Sequence, residues 1–353
     1  MKKIFVAFPT ALLLITLIFG NHYYQNNLEK NRAQAMEYIK ETEAKNKKIE
    51  SIENSIYKII PGIVSFGDSL TQGAGGEGVT YPNSLKSLIS DNIYDIPVVN
   101  MGVGGETTNT IMARAGSIDF LVDNFTIPEN TSKVEISISS SNGTTVAPLR
   151  QGDTGINPVI INGIEGTISI EQESITSKKF KYYFQRKSFG DSIKIKGNTK
   201  IELSSAKEYT NYLPIVFMGQ NGGWDDNEDL IQQIESILNL DKFNEKYLVL
   251  GLTSGNKEDR FELEQAMETA FGDQYINLRD YISKNGLKIA GIEPTKKDKD
   301  AMGKGEVPPS LLVDPVHFNS DGYKIIAKAV YERMDKLGFF KEISEKVKEI
   351  EEL

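Results

Sequence analysis

From Pro61 almost to the C-terminus, short apolar runs alternate with longer stretches whose apolar residues recur at helical spacing. The runs Ile63–Phe66, Pro97–Val103, Leu213–Met218, Tyr247–Leu252 and Tyr275–Leu278 predict buried strands. The stretches Tyr81–Ser90, Thr107–Ala115, Glu228–Leu238, Lys257–Phe271 and Gly322–Leu337 predict helices. The last carries Ile326, Ala329, Val330, Arg333 and Leu337 on one side and stops at Gly338. Strand–helix alternation of this kind predicts an α/β fold whose parallel sheet is covered on both faces. Active sites in that architecture lie at the carboxyl ends of the strands. Ser69, Gly105 and Asn221 all fall just beyond a predicted strand end.

Residues 125–206 break the alternation. Segments 133–139, 158–161, 166–170, 179–184 and 192–195 read as short β-strands, with turns at Asn142-Gly143, Asn162-Gly163 and Gly190-Asp191. They predict an inserted all-β module, a small barrel or sandwich. Its aromatics Phe180, Tyr182, Tyr183, Phe184 and Phe189 are read as core, with sugar stacking as the alternative.

The N-terminus has a different pattern. Lys2-Lys3 precede an apolar run from Ile4 to Phe19, then His22-Tyr23-Tyr24. Residues 1–24 are therefore expected to be a signal anchor that spans the cell membrane once and leaves the domain outside; a cleaved signal peptide and secretion form the alternative. No Ala-x-Ala-like site follows Phe19, which favours retention. Residues 25–60 are polar and helix-prone, with Ile49, Ile52, Ile56 and Ile59 at helical spacing, and predict a stalk. The expected partition is thus 1–24, the stalk 25–60, an α/β domain of 61–124 and 207–340, the β module 125–206, and a charged helix 341–353.

The net charge of −9 argues against a nucleic-acid partner, which would need a basic footprint. The absence of cysteine excludes disulfides, thiolate metal sites and a cysteine nucleophile. Asp225, Asp226, Glu228 and Asp229 lack calcium-loop spacing and suit the first turn of a helix. Gly102, Gly104 and Gly105 do not have the dinucleotide-loop spacing. Neither a metal nor a cofactor is expected.

The candidate chemistry rests on a scarce residue. The chain has two histidines, and His317 is the one outside the N-terminal segment. It ends the stretch Asp314-Pro315-Val316-His317, with an acid three residues before it. Upstream, the first predicted strand runs into Gly67-Asp68-Ser69. A serine becomes nucleophilic near neutral pH when an imidazole takes its proton and a carboxylate orients that imidazole. Ser69, His317 and Asp314 supply those three types. Each also has a plainer role: Ser69 as a helix cap, Asp314 as a turn former, His317 and Asn221 as loop residues.

Four segments together resemble the SGNH (GDSL-type) hydrolase superfamily: Phe66-Gly67-Asp68-Ser69-Leu70-Thr71, Val99–Thr107, Gly219-Gln220-Asn221 and Asp314-Pro315-Val316-His317. The resemblance covers Ile63 to about Leu337 apart from the insert. It implies a flavodoxin-like three-layer α/β/α sandwich with a Ser69–His317–Asp314 triad. It also implies an oxyanion hole made by the Ser69 and Gly105 N–H groups and the Asn221 amide. Gly222-Gly223-Trp224 departs from the family, which most often has Asp after the asparagine. The implied activity is hydrolysis of short-chain O-acyl esters, of which O-acetyl groups on carbohydrate are favoured by the expected exterior location. The substrate would be a small-molecule or polysaccharide ester. A lipase, lysophospholipase or acyltransferase of the same superfamily, and a wall-binding protein with a vestigial hydrolase domain, are the alternatives.

Overall fold

The computed structural model describes residues 7–143, 146, 155–172 and 179–353. Residues 1–6 of the expected anchor and 144–145, 147–154 and 173–178 of the expected β module lie outside them. Contacts divide the chain into two units: Tyr57–Glu345, and the N-terminal segment through Ile56 together with Lys346–Leu353.

Helix α1 runs from Ala7 to Ile59. The membrane-spanning anchor expected at its start is overturned, because among the described residues no helix is long and apolar enough to cross a membrane. The reason is length. The apolar run ends at Phe19, the helix continues at once through Asn21, His22, Asn26 and Asn27, and a span needs about 20 apolar residues. The single-pass placement with an exterior domain rested on that span and falls with it.

The larger unit opens with β1 (Ile63–Gly67), α2 (Ser69–Gln72), α3 (Tyr81–Asn92), β2 (Val98–Gly102) and α4 (Thr108–Ala115). Short strands follow: β3 (Phe120–Val122), β4 (Phe125–Ile127), β5 (Val134–Ile136), β6 (Ile138–Ser140), β7 (Val159–Ile161), β8 (Ile164–Gln172), β9 (Phe180–Arg186), β10 (Ile193–Ile195) and β11 (Thr199–Leu203). Alternation then returns with β12 (Leu213–Phe217), α5 (Asn227–Leu238), β13 (Leu248–Leu250), α6 (Lys257–Phe271) and β14 (Tyr275–Ile276). Helices α7 (Leu278–Ala290), α8 (Lys296–Gly303), α9 (Ser320–Lys336) and α10 (Lys341–Glu351) complete the chain, the last continuing past the larger unit.

Five strands form a parallel sheet in the order β14-β13-β12-β1-β2. Every residue of β1 and β12 is buried, which is why these strands read as unbroken apolar runs without alternation. Strand β1 lies between β2 and β12, with Gly67 opposite both Gly102 and Phe217. Three strands therefore end side by side, and the segments leaving them share one rim. Helices α3, α7 and α9 pack together, as do α4, α5 and α6.

The short strands build a seven-stranded antiparallel sheet in the order β5-β9-β8-β7-β11-β3-β6, and β10 pairs separately with β4. Its two edge strands, β5 and β6, are separated only by Ser137, so the sheet curls until its edges nearly meet. Asn162 and Gly163 turn β7 into β8 with φ of 50° and 80°, the paired left-handed residues of a tight hairpin. Tyr182 and Phe184 on β9 are buried in this module, whereas Phe189 is 77% exposed. One apolar cluster runs from Val64 and Phe66 on β1 through Ile111 and Ala115 on α4 to Phe120, Phe184 and Ile201 in the module. The module is thus packed into the same core as the parallel sheet.

Helices α7 and α8 had no counterpart in the sequence pattern. In α7, Gly286 interrupts the helical signal; a β-carbon there would meet Leu311 at 2.7 Å, so close packing requires the glycine. In α8, five of eight residues are charged. It is held by a capping box in which Thr295 and Asp298 bond reciprocally.

Candidate active site

Ser69 opens the short helix α2 directly after β1, and is 8% exposed. The cap of that helix is Asp68, whose Oδ1 accepts from the Leu70 N–H at 2.9 Å. That leaves the Ser69 hydroxyl free of capping duty. It lies 2.9 Å from Nε2 of His317. Nδ1 of His317 lies 2.8 Å from Oδ2 of Asp314. A carboxylate only accepts, so Nδ1 carries the proton and Nε2 is left as the acceptor for the serine.

The loop that brings His317 to Ser69 is built by local hydrogen bonds. Oδ1 of Asp314 accepts from the backbone N–H groups of Val316 and His317, each at 2.8 Å. These bonds, the His317 backbone one foremost, followed by the imidazole, hold the Asp314 carboxyl down at about 2. Val313 N–H donates to His317 O at 2.9 Å, and Phe318 is fully buried. Asn319 caps α9 by accepting from Asp321 and Gly322 N–H, and its amide donates to Ser310 O at 2.9 Å. The histidine is thus clamped between a carboxylate turn and a helix cap.

The segment after β2 reaches the same rim. Gly105 has φ of 78°, and Glu106 N–H closes the turn onto Val103 O at 3.3 Å. A β-carbon on Gly104 would stand 3.8 Å from that of Ser69 and 2.8 Å from Oε1 of Gln72, so this glycine lies beside Ser69 in a space that the Gln72 side chain already borders.

Asn221 follows β12. Its amide donates to Glu106 O at 2.9 Å and to Oδ2 of Asp68 at 3.3 Å. Both amide hydrogens are therefore engaged, the bond to Asp68 being the longer. The unusual Gly222-Gly223-Trp224 has a packing reason. Gly223 has φ of 95°, and a β-carbon there would meet Thr108 Oγ1 at 2.7 Å. Thr108 ties this segment to α4 by donating to Gly223 O, and its N–H donates to Gly222 O. Trp224 Nε1 donates back to Gly219 O at 2.9 Å.

Sequence reasoning passed over three buried residues under this rim. Asp68 is 1% exposed; burial pushes its carboxyl up to about 6, opposed by the Leu70 N–H and by His317. The Glu106 carboxyl is also raised by burial, against the pull of Arg114. The Arg114 side chain is fully buried, and its Nε and Nη2 bond the Glu106 carboxylate at 2.5–2.9 Å. The only sequence signal for this pair is an arginine inside the otherwise uncharged helix Thr108–Ala115.

Asp226 and Asp229 cap and brace the start of α5. Among the described residues no cluster of acidic or histidine side chains is placed to hold a metal ion. A cavity of about 270 Å³ adjoins the histidine loop. It is lined by Thr253, Ser254, Asn256, Asp259 and Glu306, with Val307, Leu312, Pro315 and Val316 as its apolar part. Gln220 reaches it by donating to Ser254 Oγ at 2.8 Å.

No family model matches the chain, and neither a curated protein nor a solved structure matches it at a significant level.

Proposed function

We propose that this protein is a serine esterase of the SGNH type that hydrolyses short-chain O-acyl esters through Ser69, His317 and Asp314. The observation that carries the reading is the linear relay from Ser69 Oγ to His317 Nε2 at 2.9 Å and from Nδ1 to Asp314 at 2.8 Å. Its position at the carboxyl rim of a parallel sheet suits the reading. Counting only the parallel strands along the chain, their order is 2-1-3-4-5. That order supports a flavodoxin-like doubly wound sandwich, with α3, α7 and α9 as one helical layer and α4, α5 and α6 as the other.

In this mechanism Ser69 Oγ attacks the acyl carbonyl while His317 Nε2 takes its proton. Asp314 keeps the tautomer and stabilises the imidazolium. The oxyanion is received by the Ser69 and Gly105 N–H groups and by the Asn221 amide as it leaves Asp68. Collapse expels the alkoxide, which regains the proton from His317; water then repeats the cycle on the acyl-enzyme and frees the acid.

The cavity beside the triad supports a short acyl group on a hydroxyl-bearing alcohol. At about 270 Å³ it lies below the usual range for ligand pockets, and polar side chains form much of its wall. A carbohydrate ester fits those hydroxyl-binding groups; the argument for glycan from an exterior location no longer applies.

Purified protein should hydrolyse p-nitrophenyl acetate much faster than the octanoate. A fluorophosphonate should label Ser69 alone, and Ser69→Ala and His317→Ala should each abolish turnover while remaining folded. Labelling at another serine, or turnover by Ser69→Ala, refutes the triad. A kcat/KM that rises with each added methylene, which can contribute about 0.8 kcal/mol, would point to a lipase with the same triad.

A further inference from the structure

We infer that the buried Glu106–Arg114 ion pair is the common anchor that positions all three oxyanion-binding groups, an assignment that rests on the serine-esterase reading. One Arg114 guanidinium holds three parts of the rim. Its Nε and Nη2 grip the Glu106 carboxylate. The same Nη2 donates to Met101 O at 2.7 Å and to Gly67 O at 3.3 Å, near the ends of β2 and β1.

The contacts with Gly67 and Glu106 lead to the three donors, and the contact with Met101 fixes the end of β2 from which the Gly105 segment leaves. Gly67 lies two residues before Ser69, whose N–H is the first. Glu106 directly follows Gly105, whose N–H is the second. The Glu106 carbonyl accepts from the Asn221 amide at 2.9 Å and so sets the third. Both charged side chains are 0% exposed and cannot reach substrate. They are positioning residues, acting through backbone and through Asn221.

Stability does not account for the pair. Removing two charges from water costs several kcal/mol per ion, and apolar replacements are often as stable. Arg114 is not even fully satisfied, since its Nη1 is buried without a hydrogen-bond partner. What the pair supplies is a rigid, forked connection between segments far apart in sequence. Oxyanion donors act through geometry: they must lie about 2.7–3.1 Å from the oxygen of the transition state.

The test uses the full chain carrying Glu106→Gln/Arg114→Met, with Glu106→Gln and Asn221→Ala beside it. For the double variant, kcat on p-nitrophenyl acetate should fall about 10- to 100-fold with KM within about twofold of wild type, the pattern of a loss felt only in the transition state. The rate of Ser69 phosphonylation should fall in parallel. Glu106→Gln, which keeps the shape and one acceptor, should lose less. A folded double variant with wild-type kcat, or one changed only in KM, overturns the assignment. So does failure of both the double variant and Glu106→Gln to fold by circular dichroism, because the pair would then be structural. In either case an active, Ser69-labelled wild type leaves the esterase reading standing; a wild type that neither hydrolyses esters nor labels removes that reading as well.

Discussion

Asp68 stands next to Ser69, the proposed nucleophile, without belonging to the relay. It is nearly inaccessible, and the Leu70 N–H and the Asn221 amide donate to it. Burial raises its carboxyl from 3.8 to about 6. A group raised in the fold contributes stability that is fully present below its unfolded value and is lost as pH climbs through the folded one. At about 1.4 kcal/mol per tenfold change in proton affinity, ionising Asp68 costs the fold about 3 kcal/mol. Asp68→Asn should therefore gain stability relative to wild type as pH rises from about 4 to 7. Urea melts of both proteins across that range check this; a difference that does not vary with pH refutes it. None of this was legible from Gly-Asp-Ser, since a carboxylate in a motif looks the same whether it will be solvated or enclosed.

At the scale of elements, the site depends on how each segment ends. Asn319, two residues after His317, precedes helix α9, and its side chain both caps that helix and ties down Ser310. Loss of such a cap typically costs about 1 kcal/mol. Asn319→Ala should lower the urea midpoint accordingly and also reduce kcat severalfold, because the histidine loop loses its downstream clamp. Unchanged stability with unchanged kcat would show that the cap does neither. The parallel strands and most helices were legible from unbroken apolar runs, as in β1 and β12, and from helical spacing, as in α5 and α9. Strands β3, β4 and β11 were not, because strands of three to five residues carry too few positions to show a pattern. Helix α8 was not, because its stability comes from a capping box and from Asp298 accepting from Ser310, contacts that leave no apolar stripe. The transmembrane reading failed for a related reason. An apolar run shows hydrophobicity, but its length decides whether a helix can cross a bilayer.

At the scale of the whole molecule, the unit from Tyr57 to Glu345 shares one core between the parallel sheet and the antiparallel module. Phe184, fully buried and edge-on to Phe125, lies in the module. The single tryptophan, Trp224, lies in the Asn221 segment of the site. Phe184→Ala should cost about 3–5 kcal/mol. Tryptophan fluorescence and far-UV circular dichroism should then shift to the same lower midpoint. A Trp224 transition that stays at the wild-type midpoint would show that the module unfolds alone.

By itself the sequence determined the local terms. Apolar periodicity set which segments become strands and helices, glycine and asparagine set the β7–β8 turn, and composition left one histidine in the larger unit. Those properties are encoded within a few residues. Only the tertiary structure decided that Ser69 and His317, 248 positions apart, meet at 2.9 Å. It also decided that Asn221 is held by Asp68 and Glu106, that Arg114 lies fully buried beneath them, and that the β module joins the common core. Such juxtapositions depend on many weak contacts between distant segments packing at once, and no window of the sequence contains them.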